Sequence, residues 1–274
     1  MDKTFAEAVT SYVEHGGERR YLDNIVCEIG DVSLLAIVPF DVKVMAKKLF
    51  PDHTNSSLNR MIITPVSAVV NHAHQRGWGP VIRIRRFQVK SPPPKKAASQ
   101  SWLHAFVRQC NKDRLPHVAA LVLFMSQTGA RVSEAVELEW PDVDLSTRTV
   151  LLRRVKSEAN SVRYLSDGLT ARLFELRSSS KNGSRVFRYT SRYSVNERIA
   201  AVCQRADISY KSSHTCGRHA MANNALSLGA DIKSTMIAGG WKNVAGFLNT
   251  YVNPRESGRL VADRFNSYQY DSDL

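Results

Sequence analysis

The sequence predicts a mainly α-helical protein of two domains, the second of which also contains a small antiparallel sheet. Three observations support this prediction. Apolar residues recur at helical intervals through the N-terminal part, a basic proline-rich segment follows, and two strand-like pieces interrupt the helices of the second half. These features place a helical domain at residues 1–82, a linker at 83–100 and an α+β domain at 101–274.

The first domain is expected to be entirely helical. Helical spacing occurs in the stretches Phe5 to Val13, Val42 to Leu49 and Ser57 to His74. Asp41 is a candidate N-cap for the second stretch, because its side chain can accept a backbone N–H of the first turn. The third stretch begins with polar residues, among them Arg60, before its apolar face starts. That arrangement is typical of a helix that presents its N-terminal end to phosphates.

The linker is strongly basic. The segment from Arg76 to Lys96, RGWGPVIRIRRFQVKSPPPKK, has seven Lys or Arg and no acid, and its three consecutive prolines exclude a helix. Basic extended segments lie well along a phosphate backbone, although a solvated hinge is the alternative interpretation for each single residue. We therefore predict DNA contacts from Arg60, Arg83, Arg85, Arg86, Lys90, Lys95 and Lys96.

After the linker the pattern is mixed. Three helical stretches precede two short strand-like pieces that are joined by a polar turn, which predicts a β-hairpin. Helices resume from about Ser191 and continue to the C-terminus. The helical stretches are Ser101 to Asn111, His117 to Ser126 and Val132 to Glu139, and the strands are Thr149 to Arg154 and Ser161 to Leu165.

Composition narrows the class of partner. The apolar fraction of 43% is typical of a soluble globular protein, and no apolar run is long enough for a membrane span. The N-terminal stretch MDKTFAEAVTSYVEHGGERR carries charge where a signal peptide would need its apolar centre. We expect a cytoplasmic, nucleoid-associated protein with no membrane partner.

A net charge of +13 attracts polyanions, so nucleic acid is the first candidate partner, and a basic protein without such a ligand is the alternative. The four cysteines have no CxxC spacing, which predicts neither a zinc site nor a disulfide framework.

Four short stretches of the second half carry groups suited to phosphoryl transfer. Guanidinium groups bind two phosphate oxygens at once, a tyrosine is a nucleophile once a base takes its proton, and a lysine can protonate a leaving alkoxide. Each residue alone has an ordinary explanation, such as a surface ion pair, a solvated turn or a core aromatic, but together they favour catalysis. The candidates are Arg131 in TGARVSE, Lys156 in the hairpin turn, His214 and Arg218 in HTCGRHA, and Trp241 and Tyr251 in GGWKNVAGFLNTYVNP.

These motifs resemble those of the tyrosine recombinase or phage integrase family. TGARVSEAVELEWPDVDL is similar to the family's first arginine motif, and GADIKSTMIAGGWKN is similar to the run that leads to its His-or-Trp position. The resemblance implies that the residues have these roles: Arg131 and Arg218 are the two catalytic arginines, Glu134 is the acidic residue that supports the first, Lys156 is the general acid, His214 is the histidine, Trp241 fills the His-or-Trp position, and Tyr251 is the nucleophile.

Two intervals differ from the family's pattern. Three residues separate His214 from Arg218, where the family has His-x-x-Arg, and Tyr251 follows Trp241 by ten residues rather than about nine. If one helix includes both His214 and Arg218, the two side chains share a helical face. His219 is an alternative imidazole, for which a structural role is the other interpretation.

The resemblance also implies a fold and an activity. It implies a SAM-like core-binding domain followed by a mixed α+β catalytic domain, in the two-domain type without an arm-binding domain. The implied activity is cutting and rejoining of double-stranded DNA through a 3′-phosphotyrosine, without metal, ATP or another cofactor, for integration or excision of a mobile element. A homotetramer on DNA, a monomer or dimer when free, and accessory DNA-bending or directionality proteins are the implied assemblies. DNA relaxation of the type IB topoisomerase kind, and a non-catalytic DNA-binding relative, are the alternatives.

Overall fold

The computed structural model describes residues 2–89, 96–153, 160–179, 184–252 and 254–266. The chain divides into two compact units, Met1–Pro93 and Pro94–Leu274. Each unit has its own cluster of buried apolar side chains.

The first unit is built from helices around one core. Thr4 begins α1 with a capping box, in which the Glu7 carboxylate accepts the Thr4 N–H at 2.8 Å. The third helix begins at Pro39 with Val38 as its N-cap, so the prediction of an Asp41 N-cap is wrong. Proline's fixed φ suits the first helical position, which leaves Asp41 inside the first turn. The helices are α1 (Phe5–Glu14), α2 (Leu22–Ile29), α3 (Pro39–Leu49), α4 (Asn55–Leu58) and α5 (Thr64–Gln75).

A π-helical stretch, Asn59–Ile63, joins α4 to α5. Asn59 is buried there, accepts the N–H of Phe87 at 2.8 Å and donates to the Phe87 carbonyl at 2.9 Å. A buried amide needs partners for both its donor and its acceptor, and the extended segment 81–89 supplies them. Ile84 and Phe87 also pack on the core of this unit. Residues 83–88 of the predicted linker therefore follow the surface of the first unit.

The second unit combines helices with an antiparallel sheet in the order β1–β2–β3. Strands β2 and β3 form the predicted hairpin, with Val150 opposite Arg163. The elements are α6 (Gln100–Lys112), α7 (Pro116–Thr128), α8 (Val132–Glu137), β1 (Val143–Asp144), β2 (Thr149–Leu152), β3 (Ser161–Tyr164), α9 (Asp167–Ser179), α10 (Arg192–Arg205), α11 (Ser213–Cys216), α12 (Arg218–Ser227), α13 (Ile232–Gly239), α14 (Val244–Tyr251) and α15 (Pro254–Asn266).

Three elements are absent from the sequence prediction. They are α2, the short strand β1, and α9. The sequence predicted that helices resume at about Ser191, whereas α9 begins at Asp167. A two-residue strand has no periodicity, and α9 has only weak helical segregation of its apolar residues.

Helix α7 lies at the centre of the second unit. Its sequence PHVAALVLFMSQT is apolar on most sides, and the helix packs against α6, α9 and α12. The C-terminal end of this buried helix fixes the position of the residues that follow it, which include Arg131. Within the described ranges no helix is both long enough and apolar enough to cross a membrane.

Candidate active site

Arg131 lies at the junction between α7 and α8. Gly129 ends α7 in the left-handed conformation with φ of 69°, and Arg131 is then the N-cap of α8. The Arg131 backbone N–H and guanidinium both donate to the Glu134 carboxylate, at 2.8 and 2.7 Å. The Glu134 side chain is nearly buried whereas that of Arg131 is about half exposed. The carboxylate therefore orients a guanidinium that remains accessible.

Arg218 is almost fully buried, with 6% of the residue exposed. Its Nη1 donates to the carbonyls of Gly129 and Gly239, both at 2.7 Å, and its Nη2 donates to Gly240 at 3.3 Å. These carbonyls lie at the C-terminal ends of α7 and α13, where helix dipoles favour a cation. Burial, together with the charge of Arg131, lowers the pKa of Arg218 to about 10. Arg218 is therefore still cationic at neutral pH.

His214 and Arg218 lie on two different helices, so the condition for a shared helical face is not met. Helix α11 ends at Cys216 and α12 begins at Arg218, with Gly217 between them at φ −100° and ψ −102°. A Cβ on Gly217 would overlap the Ser213 carbonyl and a neighbouring side chain, so glycine is required by close packing. His214 is exposed while Arg218 is buried. The longer interval between the two residues is thus accommodated by a break in the helix.

Trp241 follows a glycine turn that ends α13. Gly240 is left-handed with φ of 65°, and the Trp241 N–H donates back to the Met236 carbonyl at 2.8 Å. This turn places the Trp241 ring beside Arg218, whose guanidinium carbon lies 4.0 Å from the ring centre. The same ring meets Tyr251 edge to face, with centroids 5.5 Å apart. The aromatic pair of the C-terminal motif is therefore joined to the buried arginine.

Tyr251, the last residue of α14, is partly buried. Its ring meets the His219 ring edge to face at 4.9 Å, and the His219 ring in turn meets the His214 ring at 5.4 Å. The imidazole in contact with the Tyr251 ring is thus that of His219, and the His214 ring contacts the His219 ring instead. Burial raises the pKa of Tyr251, which Arg218 and Trp241 partly oppose. The phenol is therefore protonated at neutral pH.

Sequence reasoning did not single out Arg163. It lies on β3 and donates through Nη2 to the Gly239 carbonyl at 3.2 Å, the same oxygen that accepts from Arg218. No local signal marked it, because the alternation of Val162 and Tyr164 with Arg163 predicts that the apolar residues face inward and the arginine outward, the reverse of the observed burial.

The remaining predicted residues are spread over the chain. Lys156, Lys90 and Lys95 lie outside the described residues. Arg86 is exposed and donates a long hydrogen bond, 3.5 Å, to Thr64 Oγ1. Also exposed are Arg60, Arg83, Arg85 and Lys96. In the part of the chain that the structure describes, His, Cys, Asp and Glu form no group of three or more that could hold a metal ion.

Comparison with known proteins identifies the family to which the chain belongs. The model of the phage integrase family matches residues 100–257, which is more than half of the chain. The chain belongs to the phage integrase family, which confirms the resemblance seen in its motifs. A curated relative is the tyrosine recombinase XerC of Pediococcus pentosaceus, 26% identical over 179 residues that cover 63% of this chain. The match spans 58% of the length of that relative.

Solved structures share the fold. A structure of the Tn1549 transposon integrase in complex with circular intermediate DNA superposes with a TM-score of 0.75 at 14% identity, covering 94% of this chain and 99% of the other. The lambda integrase tetramer bound to a Holliday junction gives a TM-score of 0.70 at 14% identity, covering 91% of this chain and 78% of the other. These similarities confirm the expected fold class, mainly helical with a small antiparallel sheet.

Proposed function

We propose that this protein is a site-specific DNA recombinase that cuts and rejoins DNA through a 3′-phosphotyrosine, for integration or excision of a mobile element. The observation that carries the proposal is the contact chain from Arg218 to Trp241 to Tyr251. It connects a fixed cation to a phenol through one indole ring, an arrangement suited to an attack of tyrosine on a phosphodiester. The DNA complexes of the Tn1549 and lambda integrases support the choice of substrate.

In the proposed reaction the Tyr251 oxygen attacks the scissile phosphorus. Arg218 and the accessible face of Arg131 bind the non-bridging oxygens, and fixed donors of this type each contribute about 3 kcal/mol to transition-state stabilisation. The His214 and His219 pair receives the phenol proton, because the raised pKa of Tyr251 requires an acceptor. The leaving 5′ oxygen takes a proton from Lys156, the role that the family resemblance gives to this residue.

The products of this step favour strand exchange. The phosphodiester energy is retained in the phosphotyrosine ester, so a 5′ hydroxyl from a partner duplex can reverse the attack without ATP. We propose no metal or other cofactor for the step.

We propose double-stranded DNA as the partner of both units. The first unit would serve as the core-binding domain, with Arg60, Arg83, Arg85 and Arg86 on its exposed surface, and Lys90, Lys95 and Lys96 would continue the contact through the linker. The net charge of +13 supports a strong non-specific contribution to binding, which falls as salt rises. By analogy with the lambda integrase tetramer, we propose a homotetramer on DNA, with accessory proteins that set direction.

Covalent trapping tests the proposal. A duplex selected for binding from a random library at fixed salt is nicked near its centre, so that cleavage releases a short fragment and the covalent complex accumulates. We expect wild-type protein to give a labelled adduct on a denaturing gel and Tyr251→Phe to give none. No adduct with wild type, or an equal amount with Tyr251→Phe, would refute catalysis and leave a DNA-binding relative.

A second substrate separates recombination from relaxation. We expect exchange between two duplexes that both carry the selected site. Relaxation of supercoiled DNA without any exchange would instead identify a topoisomerase-like enzyme.

A further inference from the structure

Arg163 occupies the position on β3 that an apolar residue usually fills. Only 2% of Arg163 is exposed, whereas its strand neighbours Val162 and Tyr164 are 51% and 78% exposed. The usual inward and outward preferences are therefore reversed on this strand. A buried guanidinium is costly unless its N–H groups are satisfied, so its partners show why it is there.

One of its partners lies on β3 itself and the other at the end of α13. Arg163 Nη1 donates to Ser161 Oγ at 2.6 Å, and Nη2 donates to the Gly239 carbonyl at 3.2 Å. The Gly239 oxygen also accepts from Arg218 at 2.7 Å, so two guanidinium groups share one carbonyl. The carbonyls at a helix C-terminus lack partners within the helix, and their partial negative charge suits two cations.

The turn after α13 is packed directly against Arg163. A Cβ on Gly240 would overlap the Arg163 guanidinium. Gly240 leads into Trp241, whose ring lies over Arg218. Arg163 thus connects its own strand β3 to the turn that precedes Trp241.

We propose that Arg163 is a positioning residue of the recombination site. By fixing the Gly239 carbonyl and the glycine turn, it orients Arg218 and Trp241 toward the phosphate that Tyr251 attacks, and it acts through them. This role rests on the proposed function. The positive charge of Arg163 is also felt at Arg218, where it contributes to the lowered pKa.

The test compares single-turnover adduct formation on the nicked duplex with DNA affinity. We expect Arg163→Met to slow adduct formation about 10- to 100-fold, because small misplacements of catalytic groups cost factors of this size. DNA affinity should stay within about threefold of wild type, since only 2% of Arg163 is exposed and contacts that bind DNA come from accessible side chains. Arg163→Lys, which keeps the charge but loses the planar fork, should give an intermediate rate. The control is Arg205→Met, which removes a hydrogen-bonded arginine of the same unit, paired with Asp113 at 2.7 Å, and should leave the rate unchanged.

A double mutant distinguishes positioning from general destabilisation. If Arg163 acts through Arg218, then Arg163→Met should slow the Arg218→Lys protein far less than it slows wild type, because coupled residues are not additive. Equal factors in both backgrounds, or a wild-type rate for Arg163→Met, would overturn the inference. If Arg163→Met does not fold, Arg163→Lys carries the test, and a wild-type rate for that variant overturns it. Absence of an adduct with wild type refutes the proposed function itself, whereas a wild-type adduct with unaffected Arg163 variants refutes only the positioning role.

Discussion

Replacing Gly240 by alanine tests the packing at the centre of the site. Ala at the Gly240 φ of 65° costs about 1–2 kcal/mol of left-handed strain. Its Cβ also overlaps the Arg163 guanidinium and displaces it from the Gly239 carbonyl, and a hydrogen bond to a charged group contributes about 1.5–3 kcal/mol. We therefore expect Gly240→Ala to lower the free energy of unfolding by about 2.5–5 kcal/mol in total.

Gly229 provides the matched control. It is also left-handed, with φ of 91°, but a Cβ there meets no atom within 4 Å. Gly229→Ala should therefore lose only the strain, about 1–2 kcal/mol. Urea unfolding of the full chain, followed by tryptophan fluorescence, measures both variants. Equal losses for the two variants would show that the guanidinium does not pack on Gly240 and would refute the reasoning.

Three further outcomes are expected. With subsaturating DNA, the rate of adduct formation should rise as pH increases above neutral, because burial raises the pKa of Tyr251. The rate should fall again as pH approaches the Arg218 pKa of about 10. A rate that does not change with pH would contradict this prediction. Asn59→Ala should lower the free energy of unfolding by about 2 kcal/mol and should weaken DNA binding, because it releases the basic segment 81–89 from the first unit. Asn71 is exposed, and Asn71→Ala should change neither quantity. Burial lowers the pKa of His72, so the unfolded chain binds a proton at this residue more readily than the folded chain. The free energy of unfolding should therefore fall as pH drops below about 6.5. Urea titrations at several pH values should show that His72→Gln reduces this dependence.

The elements with strong local signals were predictable from sequence. The hairpin and the helices that became α1 and α6 have clear periodicity, and the helix start at Arg131 follows from the glycine before it. The glycine pair before Trp241 also has a local cause, since a left-handed residue ends α13. Such features depend on residues that are close in sequence, which a single chain displays directly.

Features that depend on distant contacts were not predictable. At Gly217, where α11 and α12 separate, a Cβ would overlap Met125, which lies on another helix. The buried state of Arg163 depends on a carbonyl 76 residues away. The ring contact of His219 with Tyr251 joins residues on two different helices. Tertiary packing determines each of these three features, and the local periodicity of the sequence does not report tertiary contacts.

Identifying the residue that becomes joined to DNA tests the account most directly. Trypsin cleavage after Lys242 and Arg255 would release the peptide NVAGFLNTYVNPR, in which Tyr251 is the only tyrosine. After trapping on the nicked duplex, nuclease trimming and digestion, mass spectrometry should find this peptide carrying a nucleotide through a 3′ phosphate on Tyr251. A nucleotide attached to any other peptide, or an adduct that persists in Tyr251→Phe, would contradict the account.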